Sequence, residues 1–203
     1  MNAMEDVLRW LREGSDEAED IVDLPWDVRK VDESTYVAEH PKVPFLLVLS
    51  FSENFIRLMV PLNLETLGMD SIERMKIYHA LLRLNGTVNL MKFALIGMND
   101  DVYLISDLDS KSLSKEEFND ALTALLIGLR AAVKVLKLEA EFARTLYSRI
   151  VGMVVERLQK GASEEDILKF LVTRVGLSKE DAENLLREIG IRKEKKEDSL
   201  MYG

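Results

Sequence analysis

Few of the 203 residues are of types that commonly perform chemistry. His40 and His79 are the only histidines, and no cysteine occurs. Disulfides, zinc–thiolate sites, iron–sulfur clusters and thiol nucleophiles are therefore excluded by inventory. No serine sits in a nucleophile-elbow sequence, so neither histidine has an evident nucleophile to activate. His79 falls in a helical pattern beside Tyr78 and Leu82 and is expected to be packed or half-buried; His40 precedes Pro41 and is expected in a turn. Asp107-Leu108-Asp109-Ser110-Lys111-Ser112 looks superficially like the opening of a calcium loop. Its fifth position is Lys111, its sixth is Ser112 in place of glycine, and its twelfth is Phe118 in place of glutamate, so the match fails three times. Neither G-x-x-x-x-G-K-[ST] nor G-x-G-x-x-G is present, and without closely spaced glycines backbone amides cannot cradle a phosphate. Adjacent acids such as Asp100-Asp101 and Glu116-Glu117 are ordinary on solvated turns and helix starts. The inventory predicts no enzyme, no cofactor, no metal and no small-molecule ligand.

Charge points the same way. A net charge of −9 works against nucleic acid and anionic lipid, which are bound by neutralising phosphate with Lys and Arg. The acids crowd between Glu13 and Glu33, which reads as a solvating segment. The beginning, MNAMEDVLRWLREGSDEAED, lacks the basic and apolar regions of a secretory signal, and apolar runs such as Pro44 to Phe51 are too short to span a bilayer. A cytoplasmic protein is expected. An apolar fraction of 47% is enough to offset the ordering entropy of a folded domain. A single glutamine, Gln159, with abundant Glu, Lys and Arg hints at a thermophilic source, against which nine methionines weigh. Those methionines are expected mainly in the core.

The elements that must position any site follow from periodicity. Met4, Val7, Leu8 and Leu11 repeat at helical spacing until Gly14, predicting a helix over 3–13. Thr35 to Glu39, Phe45 to Phe51 and Phe55 to Val60 are β-branched and aromatic, predicting three strands. Asp70 with Glu73 opens a helix over 70–84 that ends at Asn85-Gly86, and Leu90 to Ile96 with Val102 to Leu108 form a hairpin. Ser114 with Glu117 begins the strongest helical stripe: Phe118, Leu122, Leu125, Leu126, Leu129, Val133 and Leu136. It resumes at Phe142, Leu146, Ile150, Met153, Val154 and Leu158, so one long or once-broken helix is expected over 115–160. Ser163 with Asp166 and Ser178 with Asp181, closed by Gly176 and Gly190, delimit a helical hairpin over 163–175 and 178–189. Its second helix would start with Lys179, Glu180, Asp181 and Glu183, acids that repel a DNA backbone. Arg192 to Asp198 is a charge run without an apolar face.

The stretch Leu81-Leu82-Arg83-Leu84-Asn85, then Met91-Lys92-Phe93-Ala94-Leu95, Val102-Tyr103-Leu104-Ile105 and the helix after Ser114-Lys115-Glu116-Glu117-Phe118 resembles the YbjN family and, more distantly, the type III secretion chaperones. The resemblance covers about residues 1–138 and rests on pattern, with no catalytic motif. It implies a small acidic domain that dimerises and binds protein partners or acts in regulation.

The expected fold is α+β: a five-stranded, mostly antiparallel sheet with the first and third helices on one face, extended by a long helix and a terminal hairpin. The expected division is 1–138 as the chaperone-like domain, 139–191 as helical extension and hairpin, and 192–203 as a flexible tail. The expected function is non-enzymatic protein binding by a homodimer. A hydrophobic groove on the sheet domain would mark it, where an enzyme would carry a polar-lined pocket. The apolar stripe on the extended helix needs a cover, and Phe142, Leu146, Ile150, Met153 and Val154 are the candidate dimer contacts, with the chain's own hairpin as the competing cover. The alternative function is a nucleic-acid-linked regulator acting through the hairpin.

Overall fold

A computed structural model describes residues 3–191. The chain divides into two compact units, residues 1–143 and 144–203. In the first, helix α1 (Ala3–Arg12) is followed by strands β1 (Asp27–Lys30), β2 (Thr35–Glu39), β3 (Leu47–Phe51) and β4 (Phe55–Glu65). Helix α2 (Ser71–Asn85), strands β5 (Lys92–Ile96) and β6 (Asp101–Asp109) and helix α3 (Lys115–Val135) complete it. The fold is α+β, with one antiparallel sheet in the order β1-β2-β3-β4-β6-β5 and a C-terminal helical region.

The sheet has six strands, one more than its sequence predicts. The additional strand, β1, reads Asp27-Val28-Arg29-Lys30, whose charges hide its period. The same error affects the acidic stretch before it. Val22, Leu24 and Trp26 are buried there, so the segment is a strap over the core and not a solvating loop. Trp26 donates from Nε1 to the carbonyl of Ile21 at 2.9 Å, and Asn119 on α3 accepts from the amide of Val22 at 3.1 Å. Gly14 lets the strap turn back: a Cβ there would lie 2.3 Å from the carbonyl oxygen of Asp23.

Alternation sorts the strands into two faces. Leu49, Leu58 and Ser106 share one register row, and Ile56 pairs Leu108, on the face that packs against Val7, Leu11, Phe118, Leu122, Leu125 and Leu129 of α1 and α3. Leu126, expected in mid-stripe, is only half-buried at its margin. Val37, Val48, Met59 and Ile105 form a row on the opposite face. Ile105 is 3% exposed, yet it belongs to no core cluster.

Of the two forms expected over 115–160, one long helix or a once-broken one, the chain adopts the once-broken form. α3 ends at Val135, and α4 (Glu139–Gln159) begins after Lys137, which adopts φ +56°. The amides of Lys137 and Leu138 donate to the carbonyls of Lys134 and Val133, closing α3 with the paired bonds of a Schellman turn. Phe142, early in α4, packs on the first core.

The second unit comprises the rest of α4, α5 (Glu164–Phe170) continued by a wide π turn (Leu171–Val175), and α6 (Lys179–Glu188). Its core is Met153, Val154, Ile167, Phe170, Leu171, Ala182, Leu185 and Leu186, with Ile150 and Leu158 packed against it. Ser163 and Ser178 cap α5 and α6 by accepting from the amides of Asp166 and Asp181. The Arg157 guanidinium lies 3.7 Å from the Phe170 ring centroid. The expected tail, Arg192–Gly203, lies outside the described residues.

Candidate protein-docking site

The two histidines exchange the environments expected of them. His79 is exposed on the outer side of α2, whereas His40 is fully buried where the chain leaves β2. His40 Nε2 lies 3.3 Å from Asp16 Oδ1, its Nδ1 accepts from the amide of Lys42 at 3.2 Å, and Trp26 packs nearby. This histidine ties the acidic strap to the sheet.

The calcium-like run divides between a strand and a turn. Asp109 accepts from the amide of Lys111 at 2.8 Å and shapes the turn. Asp107, on β6, accepts from Arg57 Nε and Nη2 at 2.6 and 3.2 Å and from Lys92 Nζ at 2.6 Å. Partial burial alone would raise its carboxyl, but the bonds and charges of Arg57 and Lys92 outweigh burial and hold it below the usual carboxylate range. The arrangement is a cross-strand salt bridge, with the anion already neutralised.

Of the five residues expected at a dimer contact, Met153 and Val154 are buried under the chain's own hairpin. Phe142, Leu146 and Ile150 are half-buried, the first against the sheet domain's core and the last against the hairpin's.

Several large apolar side chains are exposed on α2 and the neighbouring sheet edge. α2 buries only Leu81 completely. Ile72, Met75, His79 and Leu82 recur at spacings of three and four along its outer face, and all four are exposed. Packing governs which helix face turns inward, and α2 has only a narrow inward stripe, so its apolar residues occupy both sides. Met75 and Met98, expected in the core, are exposed, whereas Met91 and Met153 are buried as expected. Beside Leu82 runs β5, the last strand of the sheet. Between them lies a groove of about 210 Å³ lined by Tyr78, Leu81, Leu82, Asn85, Phe93, Ala94 and Leu95. Tyr78 is fixed at its rim: Thr66 Oγ1 donates to the carbonyl of Asp100 at 2.9 Å, so the Tyr78 hydroxyl is the donor in the 2.7 Å bond to Thr66.

Asn85 joins helix to strand. Its Oδ1 accepts from the amide of Phe93 at 2.7 Å and its Nδ2 donates to the carbonyl of Phe93 at 3.3 Å, as a neighbouring strand would. Sequence reasoning placed Asn85 at the end of a helix and within a resemblance, and not as a side chain that bonds β5. The helix-ending Asn-Gly before an apolar strand was the available signal. A second cleft, of about 500 Å³, is lined by both apolar and charged side chains, among them Met4, Trp10, Phe51, Asp6, Glu53 and Lys111.

An antiparallel sheet with helices and an apolar groove between α2 and the edge strand β5 defines an α+β domain. The chain belongs to the family described as Domain of unknown function (DUF8183), whose model matches residues 6–136. Residues 137–203 match a second model, HTH_78, also described as a domain of unknown function. No curated protein matches the chain. Among solved structures, the heterodimeric ExoU–SpcU complex from the type III secretion system of Pseudomonas aeruginosa contains a chain 18% identical with a TM-score of 0.41, over 51% of this chain and 84% of that one. An uncharacterised protein from Methanothermobacter thermautotrophicus is 17% identical with a TM-score of 0.42, over 68% of this chain and 97% of that one. Among the described residues, no helix is long and apolar enough to cross a membrane.

Proposed function

We propose that this chain is a non-enzymatic, cytoplasmic protein-binding adaptor, and that the α2–β5 groove is where its partner docks. The observation that carries this reading is the exposure of Ile72, Met75 and Leu82 on α2 and of Leu95 on β5, four large side chains left in water, of which Leu82 and Leu95 line a groove with almost no polar surface. Patches of this kind mark interaction sites, because covering each such side chain returns roughly 1.5–3 kcal/mol. The resemblance to the YbjN family supports it further. Affinity capture from cell extract with wild type and with Leu82→Glu as baits tests the reading. A protein retained by the wild type and lost with the variant is expected; identical captures would sink the proposal.

Homodimerisation belongs to the same reading. The contact through α4 would use Phe142, Leu146 and Ile150, since Met153 and Val154 are already occupied by the hairpin. Light scattering should give a dimer for the wild type and a monomer for Ile150→Glu; a monomeric wild type removes the dimer from the proposal.

A nucleic-acid-linked role for the hairpin is the second reading, favoured by the match of its residues to the model named HTH_78. Glu180 and Asp181 in the first turn of α6 oppose it. A gel shift at low salt separates the two.

A further inference from the structure

We infer that the partner reaches this site as an extended strand that adds to β5, with one apolar side chain in the groove and acidic residues towards α2; this rests on the reading of the α2–β5 surface as a docking site. Backbone amides alternate sides along a strand with a period of two. Phe93 turns both its N–H and its C=O away from β6, into the side chain of Asn85. Leu95, two residues on, turns its own pair the same way, and among the described residues no side chain bonds it as Asn85 bonds Phe93. That leaves a donor and an acceptor at strand spacing, directed past the rim of the groove, which an incoming extended backbone satisfies and a helix does not.

The two edges of the sheet are built differently. β1, at the far edge, reads Asp-Val-Arg-Lys, the charged composition that protects an edge from unwanted pairing. β5 reads Lys-Phe-Ala-Leu-Ile and carries a single charge, Lys92, itself paired with Asp107. An apolar edge beside a groove is suited to accept a strand. The groove's volume fits one large aliphatic or aromatic side chain, placed by the register that Leu95 sets.

Charge selects the occupant. In a protein of net charge −9, α2 carries Arg74, Lys76 and Arg83 against the single carboxylate of Glu73. Lys76 and Arg83 share its exposed outer face with Leu82. A second copy of this chain would bring the same cations to the same place, whereas a strand flanked by acids complements them. Asn85 limits the pairing: a strand extending past Leu95 to Phe93 must displace its amide.

The test uses the full chain and short fluorescein-labelled peptides with a central leucine, β-branched flanks and either glutamates or lysines at one end. The glutamate peptide should bind, the lysine peptide more weakly, and Lys76→Glu with Arg83→Glu should reverse that order. Leu95→Pro removes the outward N–H from an edge strand, where proline is tolerated, and should weaken binding about tenfold or more while melting close to wild type. If that variant fails to fold, protection of the Leu95 amide from hydrogen exchange on adding the peptide to wild type replaces it. Full-strength binding to Leu95→Pro or an unprotected Leu95 would overturn strand addition, and a wild-type dimer that Leu95→Pro dissociates would overturn the acidic partner by making a second copy the occupant. A captured partner lost with Leu82→Glu but kept by Leu95→Pro would overturn this inference alone and leave the docking site standing.

Discussion

Asp107 illustrates how a site-like pattern becomes architecture. A carboxylate near the end of β6, two residues from Asp109, matches only the opening of a metal loop, and Arg57 and Lys92 on the neighbouring strands consume its lone pairs. Those partners are 50 residues before it and 15 residues before it, and only the sheet register brings them together. The folded carboxyl is held below the ordinary value of ~3.9, so its contribution to stability is present above that value and is lost as the pH falls through the folded pKa. Asp107→Asn should therefore destabilise the protein at neutral pH, and the gap to wild type should close in strong acid. Thermal melts of both proteins across that range check it; a gap that persists undiminished in acid would show that the packing of Asp107, and not its charge, matters. The exchanged surroundings of His40 and His79 have the same origin. Neighbours in sequence say where an imidazole sits along the chain, and tertiary contacts decide whether it is covered.

At the scale of elements, helix ends marked by a capping residue or a glycine were legible, and the junction between α3 and α4, which has neither, could not be placed. Gly161, Gly176 and Gly190 all adopt positive φ at helix ends and could be read from the chain. The fourth such position is Lys137, at φ +56°, where a lysine pays the steric cost that glycine avoids. With no glycine or proline between Ser114 and Lys160 except Gly128 and Gly152, both inside helices, the break had no compositional mark. Relieving the left-handed strain is worth roughly 1–2 kcal/mol, and glycine's added freedom returns about 0.5–1 of it. Lys137→Gly should thus raise the melting temperature by up to a few degrees in calorimetry. A lower melting temperature would mean that the lysine side chain contributes more than its backbone costs. β1 escaped notice for a different reason: a charged edge strand lacks the alternation of a half-buried one.

For the molecule as a whole, composition narrowed the chemistry to be expected more readily than it located the exposed apolar surface. The acid-rich, cysteine-free inventory removes whole classes of site, and the antiparallel α+β plan follows from the order of periodic segments. What could not be read was which apolar residues remain outside. Ile72, Met75 and Leu82 look like any core stripe until the sheet edge beside α2 is known. The stripe on α4 shows the converse, because Met153 and Val154 looked available for a partner and are claimed by the hairpin. Amphipathicity measures how much cover an element needs, and topology decides whether the same chain supplies it.

Asn85 also gives the docking edge a lifetime. It is followed by Gly86, the neighbour that least hinders attack of a backbone nitrogen on an asparagine side-chain amide, the cyclisation that turns asparagine into aspartate. While Oδ1 and Nδ2 are held on Phe93, and the Gly86 amide donates to Arg83 at 3.1 Å, that attack is restrained. Once converted, the side chain can no longer donate to the Phe93 carbonyl and sets a negative charge against it, which should weaken the clasp on Phe93. Gly86 has φ −87° and room for a methyl group, which makes Gly86→Ala a clean control. Mass spectrometry of protein stored at mildly alkaline pH should find the deamidated product accumulating when the fold is loosened by denaturant and scarce when it is intact, with Gly86→Ala slow in both; equal rates with and without denaturant would show that the clasp gives no protection.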